Sequence, residues 1–207
     1  MADAQKINNS DNIIDSRDLM KAAEEIEETL NGLMLDYREA YEDVEDFKHA
    51  KARGDITLSP DDNESELEDL EETRDDRLDD LAEWLEINDS EKDFLGDCVI
   101  GDKLDVADLF RKHPELCDHD DAEACRHLWL FHDEIKDECS DYRHGETLIN
   151  ESYFESYARE LASDLYGKEV DEACWPFTCI DWEEAADQLK MDYSQAEFDG
   201  TTYYFRS

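Results

Sequence analysis

Between residues 19 and 47 the apolar positions return at alternating steps of four and three. Leu19, Ala23, Ile26, Leu30, Leu33, Tyr37, Ala40, Val44 and Phe47 make up the series, and its step pattern is that of a coiled-coil seam. It predicts one long helix over residues 16–53. Asp15 or Ser16 can serve as its N-cap, and Gly54 stands where a helix C′ residue belongs. Gly32 falls inside this helix and costs about 1 kcal/mol relative to alanine.

A second helical pattern follows a short connection. Ser59-Pro60 reads as an N-cap followed by proline at the first helical position. The helix it opens runs to about residue 87, with Leu67, Leu70, Leu78, Leu81, Trp84 and Leu85 on one stripe. So short a link between two helices predicts an antiparallel hairpin. A two-helix hairpin alone rarely buries enough apolar surface, so the seam also suggests a homodimer.

From Phe94 the apolar runs shorten, Gly96 and Gly101 punctuate the chain, and aromatic residues cluster. Helices are expected near 103–112, 121–140, 151–166 and 181–190. Residues 196–198 and 202–205 pair as a hairpin around Asp199-Gly200, a favoured two-residue turn. The expected fold is therefore α+β and mainly α. An acidic, coiled-coil-like helical hairpin occupies residues 1–93, and a small α+β domain ending in a β-hairpin occupies residues 94–207. No internal repeat with a period of 20–50 residues is present.

Charge changes this picture. The 207 residues hold 61 Asp and Glu against 20 Lys and Arg, a formal net charge of −41. Magnitudes of about 2–8 suffice to keep a small domain soluble, and repulsion on this scale opposes compaction. Yet 40% of the residues are apolar and 10% aromatic, which is not the composition of a disordered acidic tail. The combination points to a folded body whose partner presents a strongly positive site. Direct binding to nucleic acid or to anionic membranes is disfavoured by the sign of the charge. No apolar run has the length of a membrane span, and the start carries no secretory pattern, so a cytoplasmic location is expected. In that compartment the six cysteines are expected to be reduced thiols, mostly in the core.

The acids concentrate in residues 61–93, where 17 face only Arg74, Arg77 and Lys92. As a helix this stretch carries about one net charge per 3.5 Å, close to the density of one DNA strand. A sequence shaped for stability alone would alternate Glu with Lys, because like charges three or four residues apart repel. Glu68, Glu72, Asp75, Asp76, Asp79, Asp80 and Glu83 are therefore the first candidate contacts. A merely solvated face and a surface adapted to high salt are the bland alternatives.

Other chemistry is poorly supported. His113, Cys117, His119, Cys125, His127, His132, Cys139 and His144 crowd together, but without the Cys-x-x-Cys or His-Glu-x-x-His spacing of zinc sites. Asp118-His119-Asp120-Asp121 lacks the glycine of a calcium loop. Cys174 and Cys179 stand too far apart for a redox motif, and the segment between them reads as a packed aromatic connection. No nucleophile elbow or phosphate loop occurs. Neither enzymatic activity, nor a metal, nor a cofactor is expected, and a metal-dependent enzyme built on the His and Cys cluster stands as a third possibility.

Residues 146–207 carry a further pattern. Phe154, Tyr157, Ala158 and Leu161 follow the order F-x-x-Y-A-x-x-L, and Ile180, Asp181, Trp182, Glu183, Ala186 and Leu189 follow I-D-[YW]-E-x-x-A-x-x-L. A hairpin at Phe198-Asp199-Gly200 comes next. This order resembles the C-terminal domain of the ArdA antirestriction proteins, and also a tail segment of phage proteins. The resemblance implies an elongated negative surface that imitates B-form DNA and occupies the DNA site of Type I restriction-modification enzymes in a bacterial host. It adds Glu151, Glu155, Asp164, Asp181, Glu183, Glu184 and Asp187 to the candidate contacts. An acidic chaperone or sequestering partner of a basic nucleic-acid-binding protein is the alternative function.

Overall fold

The computed structural model describes residues 7–56, 59–101, 103–167, 175 and 177–207. Among them are seven α-helices and one four-stranded antiparallel sheet, so the fold is α+β and mainly α. The chain runs through strand β1 (Ile13–Asp15) and helices α1 (Ser16–Arg53), α2 (Pro60–Trp84), α3 (Asp89–Gly101), α4 (Val106–Lys112) and α5 (Asp120–Ile135). Strand β2 (Thr147–Asn150), helices α6 (Phe154–Tyr166) and α7 (Trp182–Lys190), and strands β3 (Ser194–Phe198) and β4 (Thr201–Phe205) complete it. No helix among the described residues is long and apolar enough to cross a membrane.

The termini of α1 and α2 follow from local chemistry. The Arg17 N–H donates to the Asp15 carboxylate at 2.9 Å, which makes Asp15 the N-cap of α1. At the other end Gly54 has φ +74°. The N–H of Gly54 donates to the Lys51 carbonyl and that of Asp55 to the Ala50 carbonyl, the two bonds of a Schellman cap. Ser59 caps α2 by accepting from the Asp62 N–H at 3.2 Å, with Pro60 in the first turn.

The interior of α1 departs from a strict seam. Leu19, Ile26, Leu30, Tyr37 and Val44 are buried, but Met34 is fully buried where Leu33 was expected, and Leu33 and Phe47 are only half-buried. Ala22 joins Ala23 in the interior. The apolar face is thus wider than a two-stranded seam, as in a helix packed within a globular body. The chain itself covers this stripe, so the surface that suggested a homodimer is already occupied.

The chain forms two compact units, one of Glu25–Arg126 and the other joining the residues up to Glu24 with His127–Ser207. This grouping differs from a division at residue 93, because β1 pairs with β2 across the whole intervening sequence. In the first unit α1 and α2 run antiparallel. Lys48 pairs with Glu71 at 3.1 Å, while the earlier Tyr37 and the later Leu78 both lie beside Gly96. Gly96 is a contact residue inside α3 and not a break in structure. A Cβ there would lie 2.7 Å from the Tyr37 hydroxyl. Arg38 donates to the carbonyls of Val99 and Leu104, fastening the end of α3 to α1. Leu81, Leu85, Leu95, Val99, Leu109 and Phe110 fill the core around them.

The second unit is built on the sheet, in strand order β1-β2-β4-β3. Ile14 stands opposite Leu148, Ile149 opposite Tyr204, and Ala196 opposite Tyr203. Phe131 stacks on Phe198 with ring centres 4.9 Å apart and meets Tyr203 at 5.4 Å. Phe154 of α6 packs edge-on against Tyr193 and Tyr204, in a cluster with Ile149, Ala158 and Ala186. The buried Ser16 hydroxyl donates to the Tyr142 carbonyl at 2.6 Å and accepts from the Glu146 N–H at 2.8 Å. It thereby joins the start of α1 to the approach to β2. The connection before α7 is not packed throughout. Trp175 is 82% exposed, and Cys174 and Pro176 lie outside the described residues.

Candidate functional site

The acidic face of α2 follows from which of its residues point inward. Leu67, Leu70, Glu71, Arg74 and Leu78 are half-buried, and Leu81, Ala82 and Leu85 are buried. Glu68, Glu72, Asp75, Asp76, Asp79, Asp80 and Glu83 are all exposed. At 3.6 residues per turn, Glu68, Glu72, Asp75, Asp79 and Glu83 fall within a sector about 80° wide. Asp76 and Asp80 widen it to about 140°. The stripe from Glu68 to Glu83 extends about 22 Å along the axis at 1.5 Å per residue.

Asp61, Asp62, Glu64, Glu66 and Asp69 are exposed as well. The same helical count that selected the other seven could have found them. In all, the 25 residues of α2 hold 13 acids and two arginines. Over a length of about 37 Å this is about one net charge per 3.4 Å, the spacing of one DNA strand.

Few cations oppose this face. Arg74 pairs with Asp75 at 2.6 Å, Arg77 with Asp80 at 3.3 Å, and Lys92 of α3 with Asp79 at 2.7 Å. Lys92 also holds Asp89 at 2.8 Å, and its hydrogen bond keeps the Asp89 carboxyl below the usual range. Among the described residues Glu68, Glu72, Asp76 and Glu83 make no ion pair. The α2 face therefore combines three carboxylates fixed by partners with four open to a ligand.

The second candidate set is also exposed, but its carboxylates have local work. Asp181 caps α7 by accepting from the Glu184 N–H at 3.2 Å. Glu155 pairs with Arg159 at 3.1 Å, and Lys190 reaches Asp187 at 3.5 Å and Glu151 at 3.8 Å. Glu184 accepts from the Gln188 side chain at 3.1 Å. Only Asp164 and Glu183 of this set have neither hydrogen bond nor ion pair through their side chains among the described residues. The sequence places all seven together, whereas the structure separates two open carboxylates from five engaged ones.

The His and Cys positions give a different chemistry. Among the described residues no group of three or more His, Cys, Asp or Glu is arranged to hold a metal ion. Burial pushes the Cys117 thiol up to about 12 and that of Cys125 up to about 11, so neither is a thiolate at neutral pH. Burial pushes His132 down to about 4, and its Nδ1 lies 2.6 Å from the Tyr142 hydroxyl. This pair is an interior hydrogen bond of the sheet-bearing unit.

Comparisons of the chain with protein-family models, with curated proteins and with solved structures give no match. The motif likeness of residues 146–207 rests on the quoted residues alone.

Proposed function

We propose that this chain is a non-enzymatic inhibitor that occupies the DNA-binding site of a restriction-modification enzyme, or of another DNA-binding defence protein of a bacterial host. The observation that carries the reading is the exposure of Glu68, Glu72, Asp75, Asp76, Asp79, Asp80 and Glu83 on one face of a helix whose net charge per unit length, taken over all of α2, is close to that of a DNA strand. A DNA-binding cleft places Lys and Arg to meet phosphates. Carboxylates held at comparable spacing engage the same groups by charge-assisted hydrogen bonds. Phosphate contacts carry no sequence information, so such an inhibitor blocks many target sequences alike. The motif order of residues 146–207 supports the same reading, since helix α6, helix α7 and the Asp199-Gly200 hairpin succeed one another as in the ArdA pattern.

The deciding experiment uses a purified Type I restriction-modification enzyme holding a fluorescent duplex that contains its site. Addition of the chain is expected to lower the anisotropy to that of free duplex, with a potency that falls steeply as salt rises. If the chain binds the enzyme while the duplex stays in place, the reading fails. The acidic chaperone or sequestering partner then takes its place.

A further inference from the structure

Strand β1 is terminal in the sheet order, and its backbone polarity can be assigned group by group. The Asn150 N–H donates to the Asn12 carbonyl and the Ser16 N–H to the Glu146 carbonyl, each at 3.0 Å. Bonding alternates along an antiparallel ladder, so Asn12, Ile14 and Ser16 direct their backbone groups at β2. Ile13 directs its N–H and C=O the other way, and so does the N–H of Asp15. Ile13 is also 46% exposed, whereas its neighbour Ile14 is 3% exposed.

A cavity of about 430 Å³ opens beside this edge, lined by Ile7, Ile13, Ile14 and Ala22 and by Asp11, Asp15, Asp18 and Lys21. Two of its carboxylates are engaged. Asp11 accepts from Asn8, and Asp15 is held by Arg17 at 2.5 Å. Asp18 makes no hydrogen bond or ion pair through its side chain among the described residues. The lining thus combines apolar side chains with three carboxylates and Lys21, beside strand groups that have no backbone partner among the described residues. A short, charged edge strand discourages promiscuous pairing. Here the charge also selects, because it repels acidic segments and attracts basic ones.

We propose that β1 is a docking edge for an extended peptide segment of a partner protein, with an apolar residue flanked by Lys or Arg. The segment adds to the sheet by bonding to the Ile13 N–H and C=O and to the Asp15 N–H. Its apolar side chain enters the space between Ile7, Ile13 and Ala22, and a neighbouring cation meets Asp18. Strand addition of this kind takes affinity from main-chain bonds and specificity from alternate side chains. It supplies a preference for side-chain order that the α2 face, recognising charge alone, does not have.

The test uses the full chain and a fluorescein-labelled peptide, Lys-Val-Arg-Val-Lys-Val, with the grouped peptide Lys-Lys-Arg-Val-Val-Val as control. The alternating peptide is expected to bind at least about tenfold more tightly than the grouped one. On binding, amide hydrogen exchange should slow at Ile13 and Asp15. Asp18→Lys is expected to weaken binding about tenfold or more, and Ile13→Pro to abolish it by removing an N–H. Should the proline variant not fold, Asp18→Lys and the exchange data still decide. Neutralising the seven α2 carboxylates together should leave the preference for the alternating order intact. Equal binding of the two peptides, unchanged exchange, or insensitivity to Asp18→Lys overturns the proposal. Concentration-dependent dimerisation that protects the same amides assigns the edge to a second copy and overturns it too.

Discussion

The exposed acids of α2 and those of the α6–α7 region are equally numerous among the candidate contacts, seven in each, yet they are held in opposite ways. Around α6 and α7 the cations lie on aromatic rings as well as near carboxylates. Arg159 stands 5.3 Å from the centre of the Trp182 ring and pairs with Glu155. Lys190 lies over Phe154 and Tyr204 while reaching Glu151 and Asp187. Arg206 lies 5.5 Å from the Tyr193 ring. Each cation is thereby fixed inside its own unit, and the acids beside it are locally balanced. On α2 only Arg74 and Arg77 come from the helix itself, and acids outnumber them throughout. Formal charge is thus a poor measure of the charge a partner meets, which depends on where the cations are anchored.

The largest effect expected from this difference is on binding. Replacing Glu68, Glu72, Asp75, Asp76, Asp79, Asp80 and Glu83 together by Gln or Asn should weaken displacement of duplex by about a hundredfold or more. The same treatment of Glu151, Glu155, Asp164, Asp181, Glu183, Glu184 and Asp187 should weaken it about tenfold or less. Equal losses would break the comparison. Stability should move in opposite directions, the α2 block raising the thermal midpoint by relieving repulsion and the second block lowering it.

Acidification should separate the units next. His132 has its folded value pushed down to about 4 from an ordinary 6.5, so between these values the unfolded chain binds the proton more readily. Its contribution to stability is complete above pH 6.5 and is lost as pH falls toward 4. Urea unfolding followed from pH 7 downward should show the unit containing His132 weakening first, and His132→Gln should flatten that dependence.

Smaller effects should sharpen the picture within the second unit. Lys190→Met removes two ion pairs and two ring contacts, and should cost about 1–2 kcal/mol in denaturant unfolding. Asp181→Ala should cost about 1 kcal/mol through loss of the α7 cap. Glu183→Ala, two positions on, should change stability by less than about 0.5 kcal/mol. Similar losses at Asp181 and Glu183 would show that the capping bond does not set these carboxylates apart.

How far the sequence disclosed all this depends on the range of each interaction. Asp15, Gly54, Ser59 and the Asp199-Gly200 turn act on neighbours a few residues away, and each marks its boundary correctly. Strands β1 and β2 were invisible because β1 has three residues and β2 four, with partners supplied from far along the chain. Helix α3 was hidden by Gly96, whose role emerges only where Tyr37 approaches it. The α1 stripe shifted from Leu33 to Met34 because heptad counting assumes a single neighbour. The candidate acids were legible as exposed positions, since α2 has a clear apolar stripe opposite them. Their pairing was not, because Lys92 comes from another helix and Lys190 serves two carboxylates at once.

The antiparallel sheet imposes an order of assembly during synthesis. Glu25–Arg126 is one uninterrupted stretch, and it can close on itself while later codons are still being read. The other unit cannot, because β1 waits for β2 and β2 waits for β4. Strand β1 is therefore stored without its partner until residues 147–150 leave the ribosome, and the sheet is complete only once β3 and β4 have followed. A nascent chain halted before residue 201 would carry a finished helical unit and an unfinished sheet.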